Sequence, residues 1–190
     1  MAKSGEGIKA SEQSKEQVDE YTFRVGNISL ILDSYDDIFS DFDPRGYSER
    51  SLSDDFLSEC KKVALDKGEK LELRLMIPRR LRNVREEIKI KKRLKCHFHR
   101  HYLEKHGEIK DIKREGAAWF LIGAMLMIIS TALYGKTDFF YKLFEVMMVP
   151  ASWFMFWEGL DKIFVTSKDK KPDYDFYRKM AHTQIFFLSY

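Results

Sequence analysis

The run Ala117–Tyr134, AAWFLIGAMLMIISTALY, holds 18 residues without one charge, and it constrains the chain more than any other stretch. As a helix it reaches about 27 Å, close to the roughly 30 Å hydrocarbon layer of a bilayer. The rest of the chain makes the run exceptional, because 33% of all residues are charged and the mean hydropathy is −0.41. The run predicts a transmembrane helix.

A second apolar segment, Phe139–Leu160, carries Lys142 and Glu145 at one end, Pro150 in the middle and Glu158 at the other. Lys142 and Glu145 lie three apart on one face, where a lysine can extend to the interface. Aromatic residues stand at both ends, Phe139, Phe140 and Tyr141 before, Trp153, Phe154, Phe156 and Trp157 after, as in an interfacial belt. Only Gly135–Asp138 separates the two segments. The expected unit is an antiparallel hairpin with a kink at Pro150.

Lysine and arginine beside a membrane helix are retained on the cytoplasmic side. Arg79–Glu115 carries 14 Lys/Arg against 6 Asp/Glu, and Lys162, Lys168, Lys170 and Lys171 follow the second segment. This predicts a two-pass protein of the cell (plasma or inner) membrane with both termini cytoplasmic. Residues 1–20 are polar and are expected to form a disordered leader rather than a signal peptide. Two cysteines, Cys60 and Cys96, fit a reducing compartment.

Residues 21–115 read as a small cytosolic α+β domain with a basic juxtamembrane helix. Tyr21, Phe23 and Val25, then Ile28, Leu30 and Leu32, alternate as strand residues, and a turn at Gly26-Asn27 would split them into a hairpin. Ser53, Asp54 and Asp55 open a helix whose apolar stripe is Phe56, Leu57, Cys60, Val63 and Ala64 and which Gly68 should end. Leu71, Leu73 and Leu75 alternate in a further strand that stops at Pro78. The long basic helix that follows is read from Leu81, Val84, Ile88, Leu94, Phe98 and Tyr102, with a bend expected at Gly107 before residues 116–164 form the hairpin. The cytosolic tail, 165–190, ends in TQIFFLSY, a strand returning to the sheet or a short helix on the membrane. Strands and helices in this order define a small sheet-and-helix domain too short for a doubly wound nucleotide fold.

Four segments, IFSDFDPRGYSERSLSDDFL, IPRRLRN, FMFWEGLDKIF and FYRKMAHTQIFFLSY, together resemble a family of small prokaryotic proteins with a cytosolic domain and two transmembrane helices. The resemblance implies that layout from about Tyr21 to the end and no activity. A looser similarity, of architecture alone, links it to two-helix membrane effectors of prokaryotic conflict systems.

Three clusters are candidates for function. Asp33, Asp36, Asp37, Asp41 and Asp43, interleaved with Phe39 and Phe42, form an acidic and aromatic stretch between a strand and the Pro44-Arg45-Gly46 turn. No glycine or closing glutamate stands where a calcium loop needs one. Residues 1–78 carry 17 acidic against 11 basic side chains, so the stretch reads as a docking surface for the basic helix, a second copy or a protein partner, with Tyr35, Phe39 and Phe42 as anchors.

On the basic helix, Lys91, Lys92, Arg93, Lys95, Arg100, Lys113 and Arg114 suit anionic lipid headgroups. His97, His101 and Glu104 fall on one stripe and are weak candidates for a metal, disfavoured by the surrounding positive charge. Around the hairpin, Lys142, Glu145, Glu158 and Asp161 can form ion pairs or line a pore, with Lys113 and Arg114 as the expected partners of Glu158 and Asp161. Gly116, Ala117, Gly123 and Ala124 can permit close helix packing.

The sequence holds no GxSxG, phosphate-cradling glycine loop or CxxC. No cofactor is expected, and the charge of a helix that runs into a membrane gives no reason to invoke nucleic acid. The leading expectation is a non-enzymatic membrane-anchored module that assembles, scaffolds or senses, as a homo-oligomer. The alternatives are an oligomerising pore former and a metal-dependent enzyme on a membrane substrate.

Overall fold

A computed structural model describes residues 25–65, 70–135 and 138–190. The expected leader, the strand residues Tyr21 and Phe23, the Gly68 stop and the Lys136-Thr137 part of the turn lie outside those residues. Among the described residues the fold is mixed α+β, with a three-stranded parallel sheet, four helices and two compact units.

The first unit comprises the described residues up to Tyr102 together with Phe176–Tyr190. Its strands β1 (Val25–Ile31), β2 (Lys70–Ile77) and β3 (Gln184–Ser189) lie in that order across the sheet. The hairpin expected at Gly26-Asn27 does not form: β1 runs straight through, pairing Gly26 with Leu71 and Asn27 with Glu72. The reason is topological. The next strand arrives only after helix α1 (Asp54–Leu65), and such a crossover returns the chain parallel.

Period-two alternation sets the sheet's two faces. Leu71, Leu73, Leu75 and Ile77 of β2 are buried while Glu72, Arg74 and Met76 between them are half-exposed. In register, Leu73 stands between Ile28 and Ile185, and Leu75 between Leu30 and Phe187. Phe56, Cys60 and Ala64 of α1 join this core. Helix α2 (Val84–Leu133) contributes Ile90, Leu94 and Phe98, and helix α4 (Lys171–Ala181) contributes Phe176 and Met180. Helix α4 is absent from the sequence reading of the tail, whereas TQIFFLSY does supply β3.

The core stripe of α2 also differs from the one read in the sequence, since Leu81, Val84 and Ile88 are exposed at 42%, 66% and 62%. The buried residues run Glu87, Ile90, Leu94, Phe98, and a charged residue heads the stripe because its charge is matched. Glu87 accepts from Arg82 through Nε at 2.9 Å and Nη2 at 3.0 Å, and from the Tyr35 hydroxyl at 3.1 Å. Tyr35 in turn accepts from the Asn83 backbone N–H at 2.8 Å. Asn83 caps α2 by accepting the Arg85 N–H at 3.1 Å.

The second unit, Leu103–Asp175, contains the rest of α2 and helix α3 (Phe139–Asp161). A π-helical turn, Lys162–Thr166, and a short turn, Ser167–Asp169, continue α3 towards α4. Two helices here are long and apolar enough to cross a membrane by length and composition. Helix α2 is uninterrupted at Gly107, and α3 continues through Pro150.

The two long helices meet along a seam of small residues spaced by seven: Gly116, Gly123 and Ser130 on α2, Ser152 and Gly159 on α3. A Cβ placed on Gly123 would lie 2.6 Å from the Phe156 nitrogen and 2.9 Å from the Ser152 carbonyl. One on Gly159 would lie 2.7 Å from the Gly116 carbonyl and strike the Phe120 backbone. Backbones this close require residues without side chains, and a seven-residue repeat keeps such positions on one seam. Beside the seam the Phe120 and Phe156 rings pack with centroids 4.7 Å apart.

Candidate functional site

The acidic stretch is a folded loop whose carboxylates mostly satisfy the chain's own donors. Asp37 accepts the Asp33 N–H at 2.7 Å and the Ser34 N–H at 3.2 Å, forming a capping box on the 3₁₀ turn Tyr35–Ile38. Asp43 accepts from Arg45 through Nε at 2.8 Å and Nη2 at 2.7 Å and from the Ser51 N–H at 2.7 Å, and the Arg45 guanidinium holds its carboxyl far below the usual range. Asp36 accepts from Arg50 at 2.5 Å and from the Tyr47 hydroxyl at 3.3 Å.

The three expected anchors separate, with Tyr35 and Phe39 in the core and Phe42 outside it. Phe39 is 2% exposed, stacked on Tyr47 at 5.3 Å with the Arg50 guanidinium above its ring, so it is a core residue and not an anchor for a partner. Phe42 is 98% exposed. Asp33 and Asp41 are exposed, and Asp41 approaches Arg50 at 3.8 Å.

The basic residues divide in the same way. Arg93 donates to the Arg50 carbonyl at 3.1 Å, and the Lys91 ammonium sits 5.6 Å from the Phe187 ring centroid. These two, expected to face lipid, serve the fold itself. Lys92, Lys95 and Arg100 are exposed. In the second unit Lys113 is exposed, and Arg114 pairs with Asp111 at 3.2 Å.

His97 and His101 approach with ring centroids 4.4 Å apart, and His101 stacks on Tyr177 at 5.1 Å. Burial, then the charges of His101, Arg93 and Arg100, pull the His97 imidazole down to about 4, and its Nε2 is buried without a hydrogen-bond partner. Among the described residues no group of three or more His, Cys, Asp or Glu side chains is arranged to hold a metal, Glu104 included. Cys60 is buried, which pushes its thiol up to about 12, while Cys96 is exposed.

The ion pairs at the end of the hairpin differ from those expected. Lys113 and Arg114 do not pair with Glu158 and Asp161. Lys162 pairs with Glu158 instead, at 3.7 Å on its own helical face, and with Glu115 at 3.2 Å across the seam. This contact holds the Glu115 carboxyl below its ordinary range. Asp161 accepts from the Thr166 hydroxyl at 3.1 Å. Lys162 escapes a reading by sequence spacing because only the helical continuation past Asp161 turns it towards α2.

Further along the hairpin, Lys142 is exposed and forms no ion pair with Glu145. Glu145 instead lines a cavity of about 390 Å³ with Ser130, Thr131 and Ser152. The hydroxyls of Thr131 and Ser152 donate to carbonyls of their own helices, whereas the buried Ser130 hydroxyl has no partner. Most large apolar side chains around this seam are exposed, among them Ile128 and Val146 at 70% and Phe140 at 80%.

Comparison with protein-family models, with curated proteins and with solved structures finds no match.

Proposed function

We propose that this protein is a non-enzymatic, membrane-anchored module: a cytosolic α+β unit on a two-helix hairpin, with both termini cytoplasmic, that assembles with further copies of itself. The observation that carries this reading is the contrast between the two helices of the hairpin and everything outside them. Along α2 and α3 the apolar side chains point outward around a tight glycine seam, an arrangement that water penalises by about 25 cal/mol per Å² and a bilayer does not. Outside the hairpin the order is the ordinary one, with Ile90, Leu94 and Phe98 of α2 buried against the sheet and Lys92, Lys95 and Arg100 exposed.

Assembly is supported by what the first unit leaves uncovered. Phe42 is exposed next to Asp41 in the acidic loop. On the outer face of the sheet Ile31, Phe186 and Leu188 are exposed at 70%, 39% and 40%, beside the Glu72–Arg74 pair. Parallel sheets are ordinarily covered on both faces, and an apolar row beside one acid and one base can pair with its own copy in reversed orientation. Mass measurement in detergent tests this. A defined oligomer that Phe42→Ala or Ile31→Asp dissociates supports the reading, and a monomer at all concentrations contradicts it.

A second reading, an oligomerising pore, is favoured by the cavity that holds Glu145 and the unpartnered Ser130 hydroxyl within the hairpin. Ionisable groups inside a bilayer commonly mark conduction paths. Dye release from liposomes separates the two readings. The anchored module leaves vesicles tight, whereas a pore empties them in a manner that Glu145→Gln reduces.

A further inference from the structure

Within the second unit, a cavity of about 510 Å³ is lined by His106, Ile109, Lys110 and Lys113 on α2 and by Ser167, Lys168, Lys171 and Tyr174 on the chain that follows the π-helical turn. Each set is one helical stripe. Residues 106, 109, 110 and 113 repeat at three and four, and 167, 171 and 174 do the same. The π-helical turn inserts its wider winding just before Ser167, which re-aims the residues after it relative to α3.

Four ammonium groups thus border one hollow with no carboxylate among its lining residues. Three acids of α2 close to it in the chain are engaged elsewhere. Glu108 pairs with Lys105 at 2.7 Å and Lys170 at 3.1 Å, Asp111 with Arg114, and Glu115 with Lys162. Lys110, Lys113, Lys168 and Lys171 form no ion pair among the described residues. Like charges gathered around one open hollow raise its positive potential, and an anion of high charge density is drawn to it. Lysine is a compact point charge suited to phosphate. Ile109 and the Tyr174 ring supply an apolar wall, and the site lies only a few residues before the uncharged run that starts at Ala117.

We propose that this cavity is a binding site for a phosphate monoester, carried either by a lipid headgroup or by a soluble molecule. A monoester presents a near-dianionic group to four cations, whereas a phosphodiester offers a single charge, so the site distinguishes the two. The lipid source, but not the anion site itself, rests on the membrane-anchored reading.

The test uses the full chain in neutral detergent with native mass spectrometry, and it offers phosphatidic acid, phosphatidylglycerol or glycerol phosphate. Saturable binding of phosphatidic acid at least about tenfold tighter than phosphatidylglycerol is expected. Lys113→Gln combined with Lys168→Gln should remove about tenfold of that affinity, and the paired arginine replacements should retain it. Lys92→Gln with Lys95→Gln, outside the cavity, should leave it unchanged. Binding of glycerol phosphate as tight as that of phosphatidic acid would assign the site to soluble phosphates, and it would do so even if the hairpin failed to insert into liposomes. Equal affinity for both lipids with equal sensitivity to the two glutamine pairs, or no saturable binding of any probe, would overturn the proposal.

Discussion

The two parts of α2 obey opposite rules. Around Glu87–Phe98 the helix buries an apolar stripe on a sheet, leaves lysines outward and matches its one buried charge to Arg82 and Tyr35. From Gly116 to Ser130 the small residues are inside and the large apolar ones outside. Such an inversion of inside and outside along one helix is what the proposed membrane anchoring requires. The difference also teaches that a glycine's meaning depends on what surrounds it. Gly123 lies against the Phe156 backbone, while Gly107 has nothing within 4 Å of an added Cβ.

The largest expected effect breaks the water-facing half. Phe98 is fully buried, and Phe98→Ala should cost about 3–5 kcal/mol by cavity formation, measured by denaturant unfolding followed in the sheet unit. Next, Gly159→Leu forces a side chain onto the backbone of Phe120 and should destabilise the hairpin by about 3 kcal/mol. Titration with a denaturing detergent should show that loss, and unfolding of the sheet unit should be unaffected. Equal damage to both units would show that the two halves of α2 are not independent.

Acid sharpens the comparison within the first unit. The depressed His97 keeps the folded chain from taking up a proton that the unfolded chain accepts, so stability falls as pH drops from about 6.5 to 4. The carboxyl of Glu87 is also depressed, chiefly by its Arg82 hydrogen bonds, and its contribution is present above the unfolded carboxylate value and lost as pH falls through the folded one. Thermal melts across pH should therefore show His97→Gln flattening the upper part of the acid limb and Glu87→Gln the lower part. The smallest effect is a gain. Gly107→Ala should stabilise α2 by about 0.5–1 kcal/mol in the same melts, because the space is open and the helix passes straight through.

Much of this organisation was legible in the residues. The 18-residue uncharged run announces its helix by length alone, and the alternations at Ile28–Leu32 and Leu71–Leu75 give the strands. The α2 stripe departs from its apolar spacing because Glu87 occupies a core position, which a distant tyrosine and a neighbouring arginine make tolerable. The hairpin seam is a seven-residue repeat of Gly116, Gly123 and Ser130, visible in the sequence to a search at that period and invisible to one for GxxxG. Helix α4 was signalled by Phe176 and Met180 four apart between acids and bases. Phe39 looked like Phe42 by sequence, and only the Tyr47 ring beneath it separates core from surface.

The most direct test of the central claim, that α2 and α3 form a membrane hairpin with both ends cytoplasmic, is labelling of intact cells with an impermeant maleimide. Cys60 is buried and silent, and the exposed Cys96 is a native reporter of the basic side. The account predicts that Cys96 reacts only after the cells are opened, and that Asp138→Cys in a Cys96→Ser background reacts in intact cells. Labelling of Cys96 from outside, or protection of position 138 until lysis, would contradict it.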